Sequence, residues 1–326
     1  MAPTVTGLHH VTAIAGEPQA NLDFYAGILG LRLVKRTVNF DDPGTYHFYY
    51  GDDYGGPGTV LTFFPWDGSP RRGRAARGSP GLGQATTISF SVPPGSLPFW
   101  QSRLAALGAE ASAPVDRFGD KAILLRDPDG IALELVATED SRSGYPTAQI
   151  PAEAAIRGFH SVLLTVEGYQ QTADVLESTL GFRTVARDDK RTRFAAGDEG
   201  PGTFVDVAAL PTGRPGAMGV GAVHHVAFRV PDDEAHGEMR SSLVDAGMNV
   251  TPIIDRQYFH SVYFREPGGV LFEIATDNPG FLRDEPLDLL GHTLKLPAWF
   301  EEQRGVLEQV LPAVRVPEPF TEERRV

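Results

Sequence analysis

The sequence predicts an α+β protein built from four βαβββ modules and closed by a tail helix. Three observations predict it. One order of strand, helix and strands recurs four times, each helix stops at a glycine, and each module ends on an apolar strand of similar pattern.

The four opening strands are HHVTAI from His9, TTISFSV from Thr86, FHSVLLTV from Phe159 and HHVAFRV from His224. Their period-two alternation suits half-buried strands. The helices follow as LDFYAGILG to Gly30, LPFWQSRLAALG to Gly108, ADVLESTLG to Gly181 and MRSSLVDAG to Gly247. In the first, Leu22, Tyr25, Ala26 and Leu29 recur at helical spacing and form an apolar stripe. Glycine just past a last turn is the usual left-handed terminator. Counted from His10, Thr87, His160 and His225, that glycine comes 20, 21, 21 and 22 positions later, an offset that unrelated segments would not keep. The closing strands are GTVLTFF from Gly58, GIALELV from Gly130, GTFVDVA from Gly202 and GGVLFEIA from Gly268. Two of them follow turn sequences, DPDG at Asp127–Gly130 and EPGG at Glu266–Gly269.

The polar, proline-containing segment Thr138–Ala155 reads as a linker with two modules on each side. The expected organisation is an N-terminal half over 1–140, a C-terminal half over 156–280 and a tail over 281–326. WFEEQRGVLEQVL from Trp299 is the predicted tail helix, serving packing or as a lid.

Composition narrows the chemistry. The chain has 326 residues and a net charge of −13, which opposes a polyanion-binding surface. Its one basic run, Arg71, Arg72, Arg74 and Arg77, reads as a solvated loop rather than a phosphate site. There is no cysteine, so disulfides, zinc–thiolate sites, iron–sulfur clusters and cysteine nucleophiles are excluded. Any metal must be held by His, Asp, Glu or Tyr. The start, MAPTVTGLHH, lacks signal-peptide character, and no apolar run is long enough to span a bilayer. A cytoplasmic protein with no nucleic-acid or membrane partner is expected; the oligomeric state, a homo-oligomer included, stays open. Phosphate-loop, dinucleotide, nucleophile-elbow and zincin motifs are absent.

Aligning the repeats puts His10, Thr87, His160 and His225 in one register, and Thr62, Glu134, Asp206 and Glu273 in another. Strand side chains alternate, so all eight are expected on the inner faces of curved sheets. Modules facing in pairs would make two cup-shaped mixed β-sheet barrels with the helices outside. Two His and one carboxylate meeting there match the facial triad of non-haem Fe(II) oxygenases.

LHHVTAI (Leu8–Ile14), LGLRLVKRTVNFDDPGTYHFYYGD (Leu29–Asp52), GTVLTFFPW (Gly58–Trp66), RGFHS (Arg157–Ser161), VHHVAFRV (Val223–Val230) and YFREPGGVLFEIATD (Tyr263–Asp277) together resemble the vicinal-oxygen-chelate superfamily of glyoxalases and extradiol dioxygenases. The chain is most similar to its four-module hydroquinone-type ring-cleaving dioxygenases. The resemblance implies an iron held by His10, His225 and Glu273, with modules one and four sharing the site. Thr62 would then be a non-ligand, leaving iron positions open for substrate and O2. Modules two and three would offer Thr87, His160, Glu134 and Asp206, with only one His. Pairing modules three and four instead would gather His160, Asp206, His225 and Glu273, a four-ligand set closer to a glyoxalase.

Modules one and four alone carry a double His, so His9 and His224 accompany the implied ligands. Successive strand residues point to opposite faces. Either these two only hydrogen-bond on the outer layer, or a bulge lets them reach the pocket as acid–base groups. Tyr263, ten residues before Glu273, matches the spacing of an extradiol tyrosine beside the iron. Arg256, His260 and Thr12 are the expected substrate contacts, Arg256 as the counter-charge to a phenolate. His47 and Tyr49 lie on a strand that can line the cup, but core packing is the expectation for both; His236 and His292 receive no role.

The expected activity is an Fe(II)-dependent opening of a dihydroxylated, hydroquinone-like aromatic ring with O2, with hydroquinone and catechol both open. Mn(II) could replace iron, because this ligand set separates first-row metals poorly. The alternatives are a metal-dependent glyoxalase-type lyase or isomerase and, third, a metal-free small-molecule binder. The third would bury three polar groups at a cost with no ligand to offset it.

Overall fold

A computed structural model describes residues 4–67 and 75–318. Module one is β1 (Leu8–Ala15), α1 (Pro18–Leu22), β2 (Arg32–Asn39), β3 (Asp42–Gly51) and β4 (Val60–Pro65). Module two is β5 (Gln84–Val92), α2 (Leu97–Ala106), β6 (Val115–Arg117), β7 (Asp120–Arg126) and β8 (Ala132–Ala137). Module three is β9 (Gly158–Val166), α3 (Tyr169–Asp174), β10 (Arg183–Arg187), β11 (Thr192–Ala195) and β12 (Phe204–Ala209). Module four is β13 (Val223–Val230), α4 (Asp233–Asp245), β14 (Ile254–Asp255), β15 (Phe259–Arg265) and β16 (Leu271–Pro279). The predicted α+β architecture of four βαβββ modules is therefore present.

The helices differ from expectation in one respect. In modules one and three the α-helix is short and widens into a π-turn, at Asp23–Ile28 and Val175–Thr179. Such a turn accommodates one extra residue without breaking the helix. The Glu17 side chain accepts from Ala20 N at 2.7 Å and starts α1, and Pro18 occupies the first turn where its missing N–H costs nothing. The predicted stripe of Leu22, Tyr25, Ala26 and Leu29 is buried. Gly30, Gly108, Gly181 and Gly247 all take positive φ, the conformation for which a helix stop selects glycine.

The sixteen strands form two curled eight-stranded sheets, β14-β15-β16-β13-β1-β4-β3-β2 and β10-β11-β12-β9-β5-β8-β7-β6. Modules one and four make the first sheet, and modules two and three the second. At each centre two opening strands run antiparallel, β1 beside β13 and β5 beside β9. Each opening strand pairs in parallel with the closing strand of its own module. An approximate twofold therefore passes between β1 and β13. The helices bury Leu22, Trp100, Leu176 and Met239 in the core beneath the sheets, each such side chain contributing about 1.5–3 kcal/mol.

The segment read as a linker, Thr138–Ala155, carries no regular element but is anchored: Ile150, Ala154 and Ala155 are buried, and Trp100 Nε1 donates to Ala154 O at 2.9 Å. Buried Arg103 of α2 donates to Ile28 O and Gly27 O of module one. The tail crosses back over module one. Its Ala298–Gln303 stretch is 3₁₀ helix and runs into α5 (Arg304–Val310). The tail is pinned by Lys35, fully buried, whose Nζ donates to Asp284 Oδ1 at 2.6 Å and Glu285 Oε2 at 2.5 Å. Of the basic run, Arg71, Arg72 and Arg74 lie outside the described residues, and Arg77 pairs with Asp129. Among the described residues no helix is long and apolar enough to cross a membrane.

Candidate metal centre

The register of the central strands builds the site. Between Leu8 and His10, β1 advances two residues while β13 advances one; between His225 and Val223, β13 advances two while β1 advances one. The extra residues are His9 and His224, one bulge on each strand. A bulge re-aims the side chains beside it, so two successive imidazoles can meet rather than point apart.

Each bulge histidine holds the ligand candidate that follows it. His9 Nδ1 lies 2.9 Å from His10 Nδ1, and His224 Nδ1 lies 2.8 Å from His225 Nδ1. His9 Nε2 is 3.0 Å from Thr276 O, which can only accept, so His9 donates there. Burial, and next the field of His10, pushes the His9 pKa well down, so its ring is neutral and Nδ1 accepts from His10 Nδ1–H. That assignment leaves His10 Nε2 bare.

The bare nitrogen points at the twofold. His10 Nε2 and His225 Nε2 are 3.3 Å apart, and Glu273 Oε2 is 3.3 Å from the former and 2.9 Å from the latter. Among the described residues, His10, His225 and Glu273 are all buried and are grouped as a set able to hold a metal ion. Glu273 Oε1 accepts from Ser261 Oγ, while Oε2 receives no aligned hydrogen bond despite the nearby nitrogens. Burial alone would raise the Glu273 pKa, but positive charge shared with the His10 and His225 rings holds it well below the usual range; with both Nε2 atoms bare, a cation would have to supply that charge. Two imidazole nitrogens and one carboxylate oxygen, converging with an orphaned buried oxygen, suit a divalent first-row cation.

His10 and His225 line a cavity of about 370 Å³, with Glu273 fully buried beside them. Thr12, His224, Arg256 and Tyr263 line it as well. Arg256 Nε donates to Tyr263 Oη at 3.2 Å, and its Nη1 reaches Asp41 Oδ2 at 3.2 Å across the pocket rim. Burial, and next the Glu273 charge, raises the Tyr263 phenol, so it stays protonated. Burial and then His225 push His224 down to about 3.

Two of the expected site residues lie elsewhere. His260 points off the sheet, with Nδ1 2.6 Å from Asp233 Oδ1, and does not line the cavity. His9 stands behind the ligand candidates and lines a separate cavity of about 210 Å³. In the opposite sense, His47 and Tyr49, expected to be core packing, line the metal-side cavity. Phe40, Phe64, Trp66 and Phe259, which supply its aromatic walls, carried no sequence signal of their own. Ser261 was legible in principle, since it lies two residues from Tyr263 on one strand face.

The alignment of module three needs correcting by one residue. Its bulge falls at His160, opposite the Ser89–Phe90 step, and Asp206 pairs with Leu163, two residues beyond Ser161. In module four Glu273 pairs with Ala227, two beyond His225. Ser161, not His160, is thus the counterpart of His225, and His160 Nδ1 contacts Ser161 Oγ at 3.0 Å as His9 contacts His10. Among the described residues, the second sheet therefore places no histidine at the position that His10 and His225 occupy in the first. Its carboxylates are neutralised by arginines instead: Glu134 by Arg117 at 2.8 Å and Asp206 by Arg193 at 2.7 Å.

The chain belongs to the family described as the Glyoxalase/Bleomycin resistance protein/Dioxygenase superfamily, which matches residues 7–135 and 158–274. It is 44% identical over 313 residues to the Bacillus subtilis protein named "Putative ring-cleaving dioxygenase MhqO", covering 95% of this chain and 97% of that one. It is 34% identical over 322 residues to the chlorohydroquinone/hydroquinone 1,2-dioxygenase of Sphingobium indicum, covering 96% and 97%. A crystal structure titled as a putative dioxygenase from Bacillus subtilis superposes with a TM-score of 0.91 at 43% identity, covering 97% of this chain and all of that one.

Proposed function

We propose that this protein is a metal-dependent ring-cleaving dioxygenase that opens a hydroquinone-like aromatic ring with O2, with Fe(II) held by His10, His225 and Glu273. The observation that carries the reading is the convergence of those three buried ligand atoms on one point, beside a cavity with aromatic walls that His10 and His225 line. The similarity to a chlorohydroquinone/hydroquinone dioxygenase supports it. Mn(II) fits the same donors.

The iron, when bound, would supply the binding and activation of O2 and of one substrate hydroxylate. The protein does the rest. A bare Nε2 on His225 requires its Nδ1–H to donate to His224, which leaves the His224 Nε2–H free to donate a hydrogen bond to an oxygen in the pocket. The Arg256 guanidinium sets a positive charge beside Tyr263 and stabilises a phenolate. His9 acts one step back, fixing the tautomer of His10. The aromatic walls limit water around the reacting ring.

A glyoxalase-type reaction with a fourth protein ligand is not favoured. The fourth place, opposite Thr12 on β4, is Thr62, and Asp206 lies in the other sheet bound to Arg193.

The test is oxygen uptake by anaerobically purified, Fe(II)-reconstituted protein with hydroquinone. Uptake with loss of the aromatic absorbance is expected, and none in His225→Ala. No uptake, together with turnover of a thiol adduct, would overturn the reading in favour of the lyase.

A further inference from the structure

On the module-one side of the pocket four side chains form one chain of hydrogen bonds. Tyr49 Oη and His47 Nδ1 are 2.9 Å apart, His47 Nε2 and Thr62 Oγ1 2.9 Å, and Thr62 Oγ1 and Thr12 Oγ1 2.8 Å. The twofold explains their placement. Tyr49 pairs across the sheet with Thr62 as Tyr263 pairs with Glu273. Tyr49, His47 and Thr62 thus stand where module four has Tyr263, Ser261 and Glu273. The place of a fourth, anionic ligand is filled by neutral hydroxyls.

Counting hydrogens shows what this wall offers. Burial, and next the fields of His10 and His225, keeps His47 neutral. Three hydroxyls and one neutral imidazole carry four exchangeable hydrogens, and three internal bonds use three of them. One hydrogen is left over. Both ends of the chain, Thr12 and Tyr49, line the pocket, and among the described residues neither end hydroxyl makes a further hydrogen bond. Reversing the three bonds moves the spare hydrogen from one end to the other, so the wall can meet a ligand oxygen as donor or acceptor.

Thr12 stands on the same strand face as His10, about 6.6 Å further along β1. In a para-dihydroxylated ring the two oxygens lie on opposite edges, so one metal ion can hold only one. The other must find a partner on the pocket wall, where Thr12 and Tyr49 offer hydroxyls with bonding capacity to spare. In an ortho-dihydroxylated ring both oxygens can reach the metal, and the spare hydrogen then has no ligand oxygen to meet.

We propose that the Tyr49–His47–Thr62–Thr12 chain binds the ring oxygen that the metal does not, the para hydroxyl of a hydroquinone-type substrate. Thr12 is the contact, and Thr62, His47 and Tyr49 are positioning residues. The inference rests on the function proposed above and narrows its substrate to para-dihydroxylated rings.

The test is anaerobic binding of hydroquinone and of phenol, which lacks the para oxygen, to the metal-loaded protein. One good hydrogen bond corresponds to a preference of about tenfold for hydroquinone in the wild type. Thr62→Val and His47→Phe are expected to cut the preference to about twofold or less while phenol affinity holds, and His47→Gln, which keeps a donor and an acceptor, to restore it. A general loss of fold or metal moves both ligands and cancels in the ratio, and the isosteric Thr62→Val stands in should His47→Phe not fold. Wild type without a preference, or Thr62→Val retaining it, overturns the inference and leaves the dioxygenase reading standing. Wild type that binds neither ligand overturns both.

Discussion

Replacing Glu273 with Gln removes one negative charge from the proposed metal site while nearly conserving shape. The carboxylate is fully buried, its Oε1 is held by Ser261, and its Oε2 lies 3.3 Å from His10 Nε2 and 2.9 Å from His225 Nε2. At a ligand distance of about 2.1 Å and an effective dielectric constant of about 20, each unit of cation charge interacts with that carboxylate by about 8 kcal/mol. The amide oxygen of Gln keeps a ligand atom in place, so only part is lost. A third of one unit's share, about 2.5 kcal/mol, is close to a hundredfold in metal affinity. The consequence for stability is calculable. Metal at a hundred times the wild-type Kd stabilises the fold by about 2.7 kcal/mol, and a hundredfold weaker site retains about 0.4 kcal/mol of that. The assay is thermal unfolding of wild type and Glu273→Gln, each with chelator and with Fe(II) or Mn(II) under anaerobic conditions. Metal should raise the wild-type midpoint by several degrees and barely move the variant. Equal metal-induced shifts in both proteins would refute the assignment of Glu273 as a ligand.

Three further changes probe other parts of the account. His9→Leu removes the acceptor that fixes the His10 tautomer and should weaken metal binding by about 10- to 100-fold, read by metal titration. Lys35→Met leaves Asp284 and Glu285 without their buried counter-ion; it should cost about 3–5 kcal/mol and expose the tail to limited proteolysis. Asp127 is raised to about 7, chiefly by burial. A carboxyl whose folded pKa exceeds its unfolded value keeps its proton in the fold while the unfolded chain has released it, so its contribution to stability falls from about pH 4 to about pH 7. Asp127→Asn should remove that slope, with the midpoint difference between variant and wild type shifting in the variant's favour as pH rises toward 7.

The repeat made most of this fold legible. Strand alternation, glycine stops at a near-constant offset and similar closing strands are local properties, and they identified all four modules. Two features were not local. The one-residue slip at module three arose because FHS resembles a double-His strand in sequence, whereas register is set by where the bulge falls against β5. The π-turns at Asp23–Ile28 and Val175–Thr179 keep the same apolar stripe as an α-helix, so periodicity does not separate them. At the site, the double histidines were conspicuous, but which member would face the metal depended on those bulges. His47 and Tyr49 look like ordinary aromatic strand residues in sequence. Their partnership with Thr62 exists only because β3 lies against β4 at that register. His260 misled for a simpler reason: it alternates with Phe259 and Ser261 along β15 and so faces off the sheet toward Asp233.

The central claim is that the bulged opening strands of modules one and four, and not that of module three, build a metal centre. Metal content of anaerobically purified His10→Ala and His160→Ala proteins tests it most directly. His10→Ala should lose its metal, while His160→Ala, whose imidazole lies in the other sheet beside Ser161, should retain the wild-type amount. Metal lost only from His160→Ala would contradict the account.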